Sequence, residues 1–235
     1  MSESTAPTYL VCGSKSWNRR VFDETLCRLP GIWQFVSTPA ELSVDLVERL
    51  QPRYSFFLHW SHKVSNSVLQ RTECICFHMT DVPYGRGGSP LQNLILRGHR
   101  QTMLTALRMT DDLDAGPVYL KEPMSLEGNA EQIYVRSANL AAQMISQIIA
   151  TELAPVPQAG EPTVFHRRKP TDSELPANMA SLDEVYDFVR MLDADGYPRA
   201  FLRYGIFRLE FARIGCYDGK LVADVTVTAD GDRSA

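Results

Sequence analysis

Basic charge is in short supply in this chain of 235 residues: Lys and Arg total 24 against 28 Asp and Glu, for a net charge of -4. Sequence-independent affinity for nucleic acid comes from neutralised phosphates, and no cationic run is longer than Arg167-Arg168-Lys169. RNA and DNA are therefore not expected as the main partner. Long apolar runs are also missing, none nearing the roughly 20 residues that a membrane span requires. The opening Met-Ser-Glu-Ser-Thr-Ala-Pro has neither the basic nor the apolar region of a secretion signal. Cysteine is sparse and odd in number, at Cys12, Cys27, Cys74, Cys76 and Cys216, which suits free thiols in a reducing compartment better than a disulfide framework. These absences predict a soluble, cytoplasmic protein with no membrane attachment. Neither a phosphate-loop Gly-Lys-Ser/Thr ending nor a Gly-x-Gly-x-x-Gly pattern occurs, so nucleotide hydrolysis and hydride transfer are set aside.

What is present is alternation. Tyr9-Leu-Val-Cys12, Ile32-Trp-Gln-Phe-Val36, Tyr54-Ser-Phe-Phe-Leu58 and Cys74-Ile-Cys-Phe77 are short β-rich runs separated by helical segments, the pattern of a parallel sheet with crossover helices. Thr38-Pro39-Ala40-Glu41 has the form of a helix start, with Leu42, Leu46, Val47 and Leu50 as its buried stripe. Ser89-Pro90-Leu91-Gln92 repeats that signal, and Gly98 ends the second helix. Thr102 to Met109 and Val118 to Lys121 read as two more strands. Asn129-Ala-Glu-Gln132 caps a long helix carrying Ile133, Leu140, Met144 and Ile148, which closes a main domain at residues 1–153.

Residues 154–180 hold five prolines and little apolar periodicity, so they read as a surface connector. Residues 181–235 form a small second unit: a capping box at Ser181-Leu-Asp-Glu184, a helical face of Val185, Phe188, Val189 and Leu192, and strands at Ile206 to Phe211 and Leu221 to Val227. The expected fold class is α/β, an open, mostly parallel twisted sheet with a small α+β carboxy-terminal subdomain.

Chemistry concentrates between residues 76 and 117. Along a strand Cys74, Cys76 and His78 face the same side. Zinc would need further ligands from His59 or His62, and Cys-x-Cys-x-His lacks the loop spacing that lets ligands surround a tetrahedral ion, so no metal is expected. Two buried thiols and a hydrogen-bonded histidine are the ordinary outcome of such a strand. Pro83, Gly85, Gly87 and Gly88, packed into the ten residues after His78, argue for more: at the carboxyl end of a parallel strand such a loop opens onto the crevice where α/β proteins take small molecules. Asp111, Asp112 and Asp114 then crowd one turn ahead of Gly116-Pro117, which fixes the loop and lets one carboxylate stand near His78. On spacing alone Asp112 and Asp114 serve nearly equally.

Cys76-Phe-His78, Thr80, Pro83, Arg86-Gly87, Pro90 and Leu113-Asp-Ala-Gly116, preceded by Trp60-Ser61, together resemble the folate-dependent formyltransferases over residues 50–150. Tyr197-Pro198-Arg199-Ala200 is similar to an element in the small carboxy-terminal domain of members that modify amino-sugars or methionyl-tRNA. One position departs: the catalytic asparagine of the family falls on Cys76. The resemblance implies a Rossmann-like domain that passes the formyl group of N10-formyltetrahydrofolate to a primary amine. It selects Asp114 over Asp112, through Leu-Asp-x-Gly. His78 is then the proton acceptor and Asp114 the carboxylate that orients it and stabilises the imidazolium.

Cys76 is left at the oxyanion position, where a thiol is a poor donor; in a well-studied hydrolase, loss of one such donor costs roughly 3 to 4 kcal/mol. By position, the resemblance puts the folate pocket at Leu58, His59, Trp60, Met109, Asp111 and Asp112, and the acceptor beside Thr80, Tyr84 and Arg86. The acidic balance favours a small-molecule acceptor, first a nucleotide-linked amino-sugar. A modified ornithine used in siderophore synthesis is the alternative acceptor. A folate or nucleotide-sugar binding protein that has lost turnover through Cys76 is the alternative to catalysis. The exposed faces of the small unit are compatible with a homodimer.

Overall fold

The alternating apolar runs pair side by side because a strand buried on both faces can be continuously apolar only inside a parallel sheet. The computed structural model describes residues 6–229. Met1–Thr5, on which the expectation about a secretion signal partly rests, and 230–235, the end of the expected second unit, lie outside them. In chain order the elements are β1 (Thr8–Cys12), α1 (Ser16–Glu24), β2 (Ile32–Val36), α2 (Val44–Leu50), β3 (Tyr54–Phe57), α3 (Asn66–Leu69) and β4 (Glu73–His78). They continue with β5 (Arg86–Gly87), α4 (Pro90–Leu96), β6 (Gln101–Arg108), β7 (Val118–Ser125), α5 (Ala130–Thr151) and β8 (Val164–Phe165). The last are α6 (Leu182–Arg190), β9 (Ala200–Tyr204), β10 (Phe207–Tyr217) and β11 (Lys220–Ala229).

Six strands form one sheet in the order β2-β1-β3-β4-β6-β7. The first four are parallel, and β6 runs antiparallel to β4. Cys12 pairs with Phe57 and Phe57 with Cys76, so the carboxyl ends of β1, β3 and β4 are level. From there β4 runs on to His78, paired with Thr105. Strand order reverses between β1 and β3, which opens the crevice used by ligands in this architecture. A core of Leu10, Cys12, Phe57, Val64, Val68 and Cys74 fills one side of these strands, with α2 contributing Leu46 and Val47.

Packing divides the chain into two units. One takes the described residues up to Gly87 with Thr102–Met124 and Tyr134–Val164; the other takes Gly88–Gln101, Ser125–Ile133 and the described residues from Phe165 on. The second unit carries the antiparallel sheet β11-β10-β9 and α6, whose Phe188 and Val189 are buried.

Two helix starts differ from the sequence expectation. Thr38 and Glu41 bond each other in a turn, Ser37 N–H also donating to the Glu41 carboxylate, and the helix begins later, capped by Ser43 Oγ accepting from Leu46 N–H. Ser89 sits at φ +50 and does not cap α4 with its side chain; its hydroxyl accepts from Arg168 N–H. The capping box ahead of α5 is formed as expected, Gln132 N–H to Asn129 Oδ1 at 2.9 Å and Asn129 N–H to Gln132 Oε1 at 3.0 Å.

Candidate active site

His78 ends β4 with its imidazole buried and one ring nitrogen hydrogen-bonded. Nε2 lies 2.8 Å from the carbonyl oxygen of Gly85, which can only accept, so Nε2 carries the proton in the neutral ring. Nδ1 is left with the lone pair, facing Oδ2 of Asp114 at 3.5 Å. That separation exceeds an N–H···O hydrogen bond of roughly 2.7 to 3.2 Å, which leaves Nδ1 free to accept a proton and places a carboxylate to stabilise the product.

The loop after β4 is shaped to hold this pair. Val82–Pro83 is a cis peptide, and Gly85 at φ +75 turns its carbonyl onto the imidazole. Thr80, fully buried, donates its hydroxyl to the same Gly85 oxygen at 3.3 Å. Gly87, at φ +104, donates its N–H to Asp114 Oδ2 at 2.9 Å. A substituted residue would be strained at either glycine.

Asp114 occupies the left-handed region at φ +52 on the turn between β6 and β7. Its side chain is 11% exposed, whereas Asp111 and Asp112 are exposed to solvent. Burial and the Gly87 bond thus separate carboxylates that spacing left nearly equal. Gly116 closes the turn against β6: a Cβ there would lie 1.8 Å from the Arg108 carbonyl oxygen.

Cys76 is one pleat behind His78, with Asp114 near enough to act on it. Burial first, and then the negative charge of Asp114, push its thiol well above the usual range. The group is a neutral thiol at physiological pH, and His78 directs its nitrogens elsewhere. Cys76 is therefore not arranged as a Cys-His nucleophile.

The remaining candidates divide into groups. Trp60, Cys76 and Met109 each pack against the core around Phe57, and Met109 N–H donates to Cys74 O at 2.8 Å. Trp60 Nε1 is buried without a partner, which suits a polar atom of a ring seated there. Leu58 is buried, its N–H donating to Cys12 O at 2.8 Å. His59, at φ +48, turns instead into a cluster with Tyr134 and Trp17, ring centroids 4.2 and 5.8 Å away. Burial, and then Lys15, push it down to about 3.

Of the residues expected near the acceptor, Tyr84 is half-buried on the turn. Arg86 directs Nε and Nη2 to Oε1 of Gln158 at 3.0 and 2.8 Å. Gln158 is a site residue the sequence reading does not contain: a single amide in a proline-rich connector gives no periodic signal. Among the described residues no three His, Cys, Asp or Glu side chains gather as a metal-binding group. None of the described helices is long and apolar enough to cross a membrane.

Residues 170–228 match the family described as methionyl-tRNA formyltransferase, C-terminal domain. Methionyl-tRNA formyltransferase of Rickettsia massiliae (strain Mtu5) is 27% identical over 139 residues, which cover 55% of this chain and 46% of that protein. The chain thus spans about half the length of the curated relatives it matches. HypX from Aquifex aeolicus, solved in complex with tetrahydrofolic acid, shares the fold at 16% identity and a TM-score of 0.71, over 92% of this chain and 40% of HypX. The solved methionyl-tRNA formyltransferase from Clostridium thermocellum is 37% identical with a TM-score of 0.90, covering 95% of this chain and 99% of that one. Likeness of that degree over nearly all of both chains means that this protein belongs to the formyltransferase family.

Proposed function

We propose that this protein transfers the formyl group of N10-formyltetrahydrofolate to a primary amine of a small molecule, first among them a nucleotide-linked amino-sugar. The observation that carries the reading is the His78–Asp114 pair: a buried imidazole whose basic nitrogen faces a carboxylate 3.5 Å away, on a loop anchored by Gly87.

The roles follow from the chemistry. An amine attacking the formyl carbon must lose a proton, and His78 Nδ1 takes it. The imidazolium formed is held by Asp114 at Nδ1 and by Gly85 at Nε2, and as the bond between the formyl carbon and N10 breaks it returns the proton to N10, so that tetrahydrofolate leaves neutral. Trp60 and Met109, both packed against the core around Phe57, and the buried Leu58 are where the formyl donor would sit, the indole N–H of Trp60 offering a hydrogen bond. At the oxyanion position the neutral Cys76 thiol donates weakly, so a backbone N–H takes a larger share than in members with asparagine there, the imidazolium adding its charge but no free N–H. Arg86 keeps its charge, since Gln158 is a neutral partner, and offers it to an anionic group of the acceptor.

Methionyl-tRNA is the rival acceptor, favoured by the match over residues 170–228. The net charge of -4 weighs against it, because phosphate neutralisation needs an excess of cations. Incubating the purified protein with N10-formyltetrahydrofolate, a panel of amino-sugar nucleotides and amino acids, and methionyl-tRNA tests the reading by mass spectrometry. Gain of one formyl unit on a small amine is expected. Formylation of methionyl-tRNA alone would replace the acceptor, and no product with any amine would end the transferase reading.

A further inference from the structure

Gln158 spends its whole hydrogen-bonding capacity on two loops. Oε1 accepts both Arg86 contacts, while Nε2 donates to the carbonyl oxygens of Asp114 at 2.9 Å and Gly116 at 2.8 Å. Arg86 is next to Gly87, whose N–H grips the Asp114 carboxylate. The bonds therefore close a ring: Gln158 holds the backbone of Asp114, Asp114 is held by Gly87, and Arg86 returns to Gln158. Two more contacts seat the ring, from Arg86 N–H to Thr163 O at 2.9 Å and between the backbones of Val118 and Val156 at 2.8 Å.

The backbone of Asp114 needs such support. A non-glycine residue in the left-handed region is strained and persists only where its surroundings over-determine it. Gly87 fixes only the carboxylate, and two carbonyls, Asp114 O and Gly116 O, would lose their Gln158 donor if its amide were gone. The ion-pair contacts recorded for the described residues give Arg86 no carboxylate partner. A glutamine holds this arginine without adding a negative charge beside Asp114.

We infer that Gln158 is a positioning residue for the formyl-transfer site, acting through Asp114: its amide sets the distance between the Asp114 carboxylate and His78. This inference rests on the proposed transferase reading for its kinetic consequence, but not for its structural one. It also gives the connector after α5 a part in the site rather than a passage over the surface.

Two variants separate the bonds. Gln158→Glu keeps an acceptor for Arg86 but has no donor for the carbonyls; Gln158→Leu removes both. Misplacing a catalytic group by about 1 Å is enough to cost about a hundredfold in rate. Both variants are expected to lose about that factor in kcat, with KM for N10-formyltetrahydrofolate changed less than about twofold. Adding Gln158→Leu to Asp114→Asn is expected to cause no further loss, since a residue that works through Asp114 has nothing to position once the carboxylate is gone.

The structural test needs no turnover. In the intact protein, with its histidines labelled with nitrogen-15, the Nδ1 and Nε2 chemical shifts of the His78 ring are compared at one fixed pH in the parent, in Gln158→Leu and in Asp114→Asn. The Gln158→Leu signals are expected to move away from the parent in the direction of Asp114→Asn. Unmoved signals would overturn the inference whether or not the parent turns over. Losses that multiply in the double variant would also overturn it. A parent without turnover but with moved signals in Gln158→Leu would sink the transferase reading and leave the positioning role standing.

Discussion

Asp114 Oδ2 stands 3.5 Å from His78 Nδ1 with both side chains nearly out of solvent, 11% and 8% exposed. In such a setting a charge is weakly screened and its placement matters more than at a surface. His78 ends β4, whereas β6 runs antiparallel and its last residue, Arg108, pairs back at Ile75, so it is the loop after β6, held by Gly87 and Gln158, that returns the Asp114 carboxylate to the imidazole.

Removing either member is expected to disable transfer. His78→Ala deletes the base, and general-base catalysis supplies about 10² to 10⁴ in rate. Asp114→Asn keeps the shape but puts an uncharged amide before Nδ1, and a loss of similar size is expected. Initial rates of folate-dependent formyl transfer check both. A variant within threefold of the parent would show that the proton leaves by another route.

Cys76 offers the opposite kind of change. Because an oxyanion donor is worth about 10² to 10³ in kcat, Cys76→Asn is expected to raise turnover by at least about tenfold, after allowing for imperfect fit. Unchanged turnover would mean that a backbone N–H already fills the position. The thiol itself is expected to be inert. Its raised pKa leaves no thiolate at pH 8, and Cys74, pushed up to about 12 by burial, is equally protected. Iodoacetamide at pH 8 followed by peptide mapping should label the exposed Cys27 and Cys216 and spare Cys76.

Acid sensitivity is expected from His59. Its folded pKa, about 3, is below the ordinary 6.5, so as pH falls the unfolded chain takes up the proton first. The contribution is therefore fully present above about pH 6.5 and is lost progressively as pH falls towards 3. His59→Phe keeps a ring against Tyr134 and Trp17 but has no proton to bind. Urea denaturation at pH 7 and pH 4.5 should show a smaller loss on acidification for this variant than for the parent. Equal losses would remove His59 from the account.

The sheet was the legible part of the fold. Thr8–Cys12 and Tyr54–Phe57 are written in apolar, β-branched and aromatic residues whose preference agrees with their burial, so local and tertiary signals coincide. The start of α2 was less so. Thr38 and Glu41 satisfy a capping pattern locally, yet Ser43 offers the same oxygen beside the residues that reach the core, and packing selects it. At the site, His78 and Asp114 were visible through their motifs. Gln158 was not, because a polar side chain acquires its role from partners distant in sequence and leaves no period to read.

Two glycines separate crowding from conformation. Gly116 has an ordinary φ, but a Cβ there would meet the Arg108 carbonyl oxygen at 1.8 Å and Thr110 Cγ2 at 3.2 Å. Arg108 cannot easily yield, since its N–H is bonded to Pro117 O at 2.9 Å and its carbonyl belongs to β6. Gly98 presents the reverse case: φ is +77, and nothing lies within 4 Å of a built Cβ. Gly98→Ala is therefore expected to cost about 1 to 2 kcal/mol from backbone strain alone, with catalysis intact. Gly116→Ala is expected to cost about 2 to 3 kcal/mol or more, because the loop must be pushed off β6. Since Gln158 bonds the Gly116 carbonyl, that displacement also carries Asp114 away from His78, so the second variant should lose activity even where it remains folded. Urea melts and initial rates measured side by side check the contrast; equal destabilisation with activity retained in both would show that the turn gives way without moving the carboxylate.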